Sequence, residues 1–393
     1  MTKLYIIGYG PGDESLTTLR TQQLIGSAKR VLSTERIAAT DPRVSGMSLS
    51  DLVDELKKPV DGDTVVLVSG DSGFYSATKR IIEYYSELYQ IEVIPGISSI
   101  AQMSARVQAS YDDAMLLSMH GRNENIVPLV AYNKKIFALT GGENRAEHIC
   151  FHLDRYGLGD VKVVVGERLS YADETITKGT ASELKDQLFD NLAVIYIENP
   201  AAVDPRIPLN DEDFIRTDVP MTKAEVRWLS IQKLEVCPTD IIYDIGAGTG
   251  SVAIELARRA DRGIVYAIEK EAEACELIRK NALSLGAYNL EVVEQEATAA
   301  MRWLPRPDRA FIGGSGGNLD AIVKRLVSVN RNIRLVINAV TLQTLQESFK
   351  VLDRHGFKDY EVLCLNIAKA KRVKKYDLMM ASNPVYVISG TAG

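Results

Sequence analysis

Ile241-Ile-Tyr-Asp-Ile-Gly-Ala-Gly-Thr-Gly-Ser251 decides the fold. An apolar run long enough for a buried strand passes into glycines at three alternate positions, Gly246, Gly248 and Gly250, and then into the helical pattern Val252 to Arg259. A strand, a tight turn and a helix start are expected in that order. Without a Cβ, glycine lets the backbone turn sharply and lie close to a ligand, so a nucleoside fits against this turn. The next apolar run, Ile264 to Ile268, ends in Glu269, twenty-three residues beyond Gly246. That is where a doubly wound sheet offers a carboxylate to ribose hydroxyls. A dinucleotide site would need G-x-G-x-x-G, with its third glycine on the helix that receives the pyrophosphate. Here Gly250 comes one residue early and Ser251 takes that place.

Asp244-x-Gly246-x-Gly248-x-Gly250 resembles motif I of the class I S-adenosylmethionine-dependent methyltransferases. The resemblance implies cofactor contacts at Asp244, the three glycines and Glu269. After the strand Leu290 to Glu294 come Gln295, Glu296 and Ala297, where that family carries Gly-Asp-Ala with the acid at the adenine amine. Glu296 and Ala297 are therefore expected beside adenine, although Glu296 is one methylene longer. The strand Arg309 to Ile312 ends in Gly313-Gly314-Ser315-Gly316-Gly317, at the carboxyl edge where ligands bind in such sheets. Gly313 is expected on the cofactor. Gly314, Ser315, Gly316 and Gly317 leave room for a broad, flat substrate. Methyltransferases acting on adenine or glutamine amino groups place N-P-P-[YF] at this strand end. The similar string Asn383-Pro-Val-Tyr386 falls at the start of the last strand instead. G-G-S-G-G, together with Thr222-Lys-Ala-Glu-Val-Arg227, is similar to the decarboxylating precorrin methyltransferases, which implies Thr222 on the cofactor. Read from the residues alone, Thr222 is an N-cap with Glu225 at N3, a capping box starting a helix to Leu234.

The N-terminal half shows a different set of glycine junctions. Leu4 to Ile7 runs into Gly8-Tyr-Gly-Pro-Gly-Asp13 and a helix from about Leu16 to Ala28. Thr64 to Val68 runs into Ser69-Gly-Asp-Ser-Gly-Phe-Tyr-Ser76 and a helix from Ala77 to Tyr89. Ile91 to Ile94 runs into Pro95-Gly-Ile-Ser-Ser-Ile100 and a helix from Ala101 to Val107. These segments, in this order, resemble the tetrapyrrole methylases, the class III S-adenosylmethionine-dependent methyltransferases. Ser118-Met-His-Gly-Arg122 and Leu139-Thr-Gly-Gly142 look like the branch of that family acting on precorrin-6 species. Ser72 departs from the proline many members carry. The resemblance implies a cofactor cleft between two α/β lobes, touching Pro11, Gly70, Asp71, Ser98, Ser99, Leu139 and Thr140. His120 is a candidate for proton transfer, its ordinary pKa lying near neutrality. The alternative is that it only hydrogen-bonds the chain at a strand end. Val161 to Val165 and Leu192 to Ile197 read as the last strands of this half.

At 393 residues the chain is too long for one ordinary core. Three prolines and four acids without periodicity between Pro200 and Asp213 mark the boundary. Residues 1–200 are expected to form a tetrapyrrole methylase domain, 201–213 a linker and 214–393 a class I methyltransferase domain. The resemblances imply an α/β protein whose N-terminal part is two-lobed. Its C-terminal part is expected to be Rossmann-like, with a mostly parallel seven-stranded sheet. A composition of 46% hydrophobic and 25% charged residues is that of a soluble globular protein. With Met1-Thr-Lys leading into a strand and no run of 18 apolar residues, neither signal peptide nor membrane span is expected, and the location is expected to be cytoplasmic. Four scattered cysteines and four histidines give no metal site. The net charge of −6 argues against nucleic acid as partner. Between the expected closing strands, Tyr360 to Ile367 and Val385 to Ile388, lies Lys369-Ala-Lys-Arg-Val-Lys-Lys375. It reads either as a solvated loop or as a cationic loop in which Lys369, Lys371 and Arg372 hold substrate carboxylates.

Together the resemblances imply two fused methyltransferases with one S-adenosylmethionine per domain. The substrate is then a precorrin-6 tetrapyrrole, methylated at carbon 5 by the first domain. The second would methylate carbon 15 and decarboxylate the ring C acetate, in cobalamin synthesis. The metal-free and cobalt-containing macrocycles both stay open, and a homo-oligomer is expected. The competing readings are an RNA or protein methyltransferase with an accessory domain, and a chain in which one half has become a cofactor sensor.

Overall fold

The computed structural model describes residues 2–34, 37, 44–58, 60–120 and 125–393. Gly121 and Arg122 of the expected Ser118–Arg122 segment lie outside the described residues. Two compact units divide the chain: Met1–Glu124 with Asn133–Ala202, and Asn125–Tyr132 with Val203–Gly393.

The first unit holds two five-stranded sheets. One is parallel throughout, in the order Ser45–Met47, Arg30–Thr34, Thr64–Val68, Lys3–Gly8, Gln90–Ile94. Its two central strands, Thr64–Val68 and Lys3–Gly8, are apolar over most of their length because helices cover both faces. The other is mixed, in the order Met115–Ser118, Lys135–Leu139, Ala193–Glu198, Lys162–Glu167, Thr175–Thr180, with only its first pair parallel.

The carboxyl ends of three parallel strands are stacked backbone on backbone. A Cβ on Gly96 would lie 2.2 Å from the Gly8 carbonyl oxygen, and one on Gly8 would lie 2.6 Å from the Gly96 nitrogen. Gly10 and Gly70 exchange backbone hydrogen bonds of 3.0 and 2.9 Å. Gly8 and Gly96 accept only glycine because a side chain would fill the space through which the loops approach one another, whereas Gly10 and Gly70 are favoured by φ of +93° and +71°.

The second unit is built on one seven-stranded sheet. Five strands are parallel, in the order Leu290–Glu294, Ile264–Glu269, Ile241–Ile245, Arg309–Ile312, Arg334–Ala339. Val385–Thr391 and Glu361–Leu365 then add antiparallel to the far edge. Helices bury both faces. Ile126–Tyr132, a helix buried at every position, also belongs to this unit. There the Tyr132 hydroxyl donates to the Gly286 carbonyl at 2.5 Å, and the Asn125 amide to that of Tyr288 at 3.3 Å.

Two local expectations are corrected. The helix after the boundary spans Ala224–Leu234 and has Lys223 at its N-cap, with no side-chain cap bond. Asp211 supplies the cap from thirteen residues upstream, accepting the Ala224 amide at 3.0 Å. Glu225, free of the expected capping box, instead pairs with Lys369 at 2.6 Å. The Lys369–Lys375 segment is not a loop but half of a two-stranded antiparallel arm, Ala368–Val373 against Tyr376–Ala381, exposed throughout.

The segment before Ala224 is tied to the second unit by Arg227. Its guanidinium is fully buried, bonded to Glu255 at 2.7 Å, Asp211 at 3.3 Å, and the carbonyls of Thr222 and Leu209 at 2.8 and 2.6 Å. It also lies 4.8 Å from the Phe214 ring. A buried cation with every face satisfied holds its surroundings rigid, and removal of one partner would leave a costly orphan charge.

Candidate active sites

Each unit carries a cavity at the carboxyl ends of its parallel strands. The cavity of the first unit has a volume of about 250 Å³ and is lined by all eight residues the sequence reading singled out there. These are Pro11, Gly70, Asp71, Ser98, Ser99, Leu139, Thr140 and His120. Asp71 follows Gly70, whose φ of +71° turns the chain away from the strand. Its Oδ1 accepts the Gly96 amide at 3.3 Å, which aims the carboxylate across the cavity floor. Two hydroxyls are partly committed. Ser98 caps the helix Ser99–Val107 by accepting the Ala101 amide at 3.0 Å, and Thr140 donates to the Ala193 carbonyl at 3.0 Å. Ser98 therefore keeps a proton to give, whereas the Thr140 hydroxyl and amide both donate to the Ala193 carbonyl, the amide at 3.1 Å. His120 is exposed, its Nδ1 2.1 Å from where a Cβ on Gly141 would lie.

Sequence reasoning missed Ser118, Tyr171 and Tyr75 on the walls of this cavity. Ser118 ends a strand, which is the signal that would have found it. Tyr171 could not be foreseen; its ring comes 2.6 Å from the Cβ position of Gly12, so the third glycine of Gly8–Asp13 makes room for it. Tyr75 sits at φ +47°, a conformation a bulky side chain adopts only when its surroundings hold it.

The cavity of the second unit is far larger, about 1340 Å³. Thr222, Gly246, Gly248, Glu269, Gly313, Gly314, Gly316 and Lys369 reach it. Gly246 and Gly248 have φ of +70° and +56°. A Cβ on the first would lie 2.5 Å from the Gly314 carbonyl oxygen, and one on the second 2.8 Å from that of Pro220. Glu269 is fixed before any ligand arrives: one oxygen accepts the Gly248 amide at 3.0 Å, the other the amides of Lys270 and Glu271 at 2.8 and 3.1 Å. The oxygen that accepts from Gly248 keeps a lone pair for a hydroxyl donor, whereas the other already accepts two amides.

Several expected residues do not reach this cavity. Asp244 is fully buried under the turn with no hydrogen-bond partner on either oxygen. Burial pushes its carboxyl up to about 7, the nearby Ala253 amide, outside hydrogen-bond geometry, opposing and the Glu269 charge adding to the rise. Gly250 abuts Ile278 behind the turn. Glu296 lies outside the lining because it caps its own short helix, Ala297–Ala300, accepting the Thr298 and Ala299 amides at 2.8 and 3.1 Å. Ala297, as the first residue of that helix, is likewise absent from the lining, as are Ser315 and Gly317. Of the expected cations only Lys369 lines the cavity; Lys371 and Arg372 stand farther out on the arm, where Arg372 pairs with Asp377 at 3.1 Å. Asn383 and Val385 do border the cavity, from the start of the last strand. Seven acids and four cations line it. Among the described residues no cluster could hold a metal ion, and no helix is long and apolar enough to cross a membrane.

Residues 3–185 match the tetrapyrrole (corrin/porphyrin) methylases, and residues 213–391 the precorrin methyltransferase domain. A crystal structure of a precorrin-6Y C5,15-methyltransferase from Geobacter metallireducens GS-15 is 36% identical, covering 47% of this chain and 97% of its own, with a TM-score of 0.45. A probable cobalt-precorrin-6B C(15)-methyltransferase (decarboxylating) of Pyrobaculum calidifontis is 39% identical over 48% of this chain and 96% of its own length. The precorrin-6Y C(5,15)-methyltransferase [decarboxylating] of Sinorhizobium sp. spans both halves, at 32% identity over 84% of this chain and 80% of the relative. The chain belongs to the family of decarboxylating precorrin-6Y C(5,15)-methyltransferases.

Proposed function

We propose that this chain methylates a precorrin-6 macrocycle at carbons 5 and 15 and removes carbon dioxide from its ring C acetate, in cobalamin biosynthesis. The first unit, a two-lobed tetrapyrrole methylase, acts at carbon 5. The second, a Rossmann-like class I methyltransferase, acts at carbon 15 and decarboxylates. Each binds its own S-adenosylmethionine. The observation that carries the reading is the space beside the Gly246 turn. At about 1340 Å³ it exceeds the roughly 300–1,000 Å³ of ordinary ligand pockets, so a nucleoside cofactor leaves room for a broad second reactant.

The residues fit such a cofactor. At Gly246 and Gly248 the chain keeps open a cradle that a Cβ would fill, and Glu269 stands preset for a ribose diol. In the first unit Asp71 and the Ser98 hydroxyl offer an acceptor and a donor within one small cavity. When bound, S-adenosylmethionine supplies an electrophilic methyl group on a sulfonium. The chain's own part is alignment: it holds an electron-rich macrocycle carbon in line with that methyl and excludes water. For decarboxylation, Val226, Val340, Ile367 and Val385 give the second cavity an apolar wall. A carboxylate pressed against such a wall loses solvation that neutral carbon dioxide does not need, and the conjugated imines of the macrocycle accept the electron pair.

Mass spectrometry of the macrocycle after incubation with the chain and excess S-adenosylmethionine tests the reading, using the metal-free and the cobalt form. Gain of two methyl groups with loss of carbon dioxide from either form is expected. An unchanged macrocycle in both would overturn it.

A further inference from the structure

The His120 side chain stands at the first cavity with its ring uncommitted. It continues the alternation of the strand Met115–Ser118: Ser118 and His120 line the cavity, whereas Met119 between them is fully buried and does not. Its mount is fixed on both sides, because the Met119 amide donates to the Leu139 carbonyl at 2.8 Å and the Met119 carbonyl accepts the Asn144 amide at 3.0 Å. The imidazole lies against Gly141, where a Cβ would come 2.1 Å from Nδ1 and 3.2 Å from Cγ. One nitrogen is thus covered and Nε2 is left open. Among the described residues neither ring nitrogen has a hydrogen-bond partner, which sets aside the reading of His120 as a bond to the chain at a strand end.

The place of the ring in the cavity says which step it serves. Four lining residues are exposed and so mark the mouth: Ser69, Tyr75, His120 and Asn191. Of these side chains only an imidazole is a base near neutral pH. The half-buried Asp71 already accepts the Gly96 amide at 3.3 Å. A cavity of about 250 Å³ holds one ligand, so a methyl carried by a cofactor within it is passed outward to a macrocycle at the mouth, beside His120. We propose that His120 is the general base of carbon 5 methylation. Carbon 5 of a tetrapyrrole bridges two rings and bears one hydrogen. Methyl transfer breaks the sulfur–carbon bond, forms a carbon–carbon bond and leaves a cationic macrocycle whose carbon 5 carries both the methyl and that hydrogen. His120 Nε2 takes the hydrogen as a proton, and the electron pair of the broken carbon–hydrogen bond returns to the macrocycle, neutralising it and restoring conjugation through carbon 5. This inference rests on the proposed reaction of the first unit.

The test is the pH dependence of kcat for carbon 5 methylation by the full chain, for wild type, His120→Ala and His120→Gln. S-Adenosylmethionine affinity of the first unit is measured alongside by calorimetry. His120→Ala is expected to lower kcat about hundredfold, at the lower end of what a positioned base contributes. KM for the macrocycle and cofactor affinity should stay within about twofold of wild type, the pattern of a group that acts only in the transition state. The acid limb of the wild-type profile, where a base becomes protonated, should be absent from both variants. Free imidazole should restore much of the loss in His120→Ala and none in His120→Gln, whose side chain fills the space. Retained cofactor binding also certifies that the first unit is folded. Unchanged kcat in both variants overturns the inference, as does a loss that free imidazole leaves unrepaired in His120→Ala. An acid limb that survives in the variants overturns it too, because another group is then the base, and so does weakened cofactor binding with kcat kept, which gives the ring to the other reactant. Absence of carbon 5 methylation by wild type would remove the functional reading and this inference with it.

Discussion

The two units make glycine serve opposite ends. In the first, Gly8 and Gly96 approach so closely that a Cβ on either would strike the other's backbone, and the resulting cavity is small, about 250 Å³. In the second, the clustered glycines follow two neighbouring strands, and Gly246, Gly248, Gly313, Gly314 and Gly316 open onto about 1340 Å³. Closing three loops on one another makes a socket for one ligand. Lining two adjacent strand ends with glycine makes a floor wide enough for two. A shared cofactor thus need not imply a shared way of holding it.

The largest effect that would break this comparison is at Gly96. Gly96→Ala sets a methyl 2.2 Å from a carbonyl oxygen, a clash between backbones that cannot rotate away. A loss of roughly 3 kcal/mol is expected in the first unit, at the upper end of overpacking costs. Carbon 5 methylation should fall at least tenfold in product analysis while carbon dioxide release continues. Glu269→Gln keeps shape and size but removes charge from the ribose acceptor. Calorimetry should give roughly tenfold to hundredfold weaker cofactor binding in the second unit only, in line with the roughly 1.5–3 kcal/mol of a charged hydrogen bond.

A smaller and pH-dependent effect is expected at Asp244. Its folded pKa of about 7 lies above the ordinary 3.8, so the fold keeps a proton that the unfolded chain releases. The stability this confers is complete below about pH 4 and is lost as pH rises through about 7. Asp244→Asn, which cannot ionise, should gain on wild type by a few kcal/mol above pH 7 and not at pH 4. Thermal melts at the two pH values check this. The smallest effect is at Lys369, which is exposed and paired with Glu225. Lys369→Ala should raise KM for the macrocycle by no more than about threefold, as exposed ion pairs contribute about 0–1 kcal/mol.

Ile241–Ile245 and Arg309–Ile312 were legible to within a residue because central, mostly buried strands read as apolar runs, here ended by glycine. Arg309–Ile312 and Leu290–Glu294 fall where expected. The arm was not legible. Its residues are all exposed, so no burial pattern marks Ala368–Val373 or Tyr376–Ala381. The residue that turns it, Lys374 at φ +56°, stands where a hairpin would ordinarily show Asn or Gly. The cap at Ala224 escaped for a different reason: Thr222 and Glu225 have the right spacing, but a carboxylate thirteen residues away reaches the same amide first. The buried helix Ile126–Tyr132 is apolar all round and so carries no helical period to detect. Around the sites, the lining residues the reading singled out were those following strand ends. Tyr171, which it missed, depends on which loops become neighbours.

If each unit performs its own reaction with its own cofactor site, Gly248→Arg separates the two reactions. The arginine side chain would enter the Gly246 turn where a Cβ already lies 2.8 Å from the Pro220 carbonyl oxygen, closing the second cavity and leaving the first untouched. Mass spectrometry of the product should give a macrocycle that has gained the carbon 5 methyl alone and kept its acetate carboxylate. Loss of both methylations, or retention of both with carbon dioxide release, would contradict the division of labour.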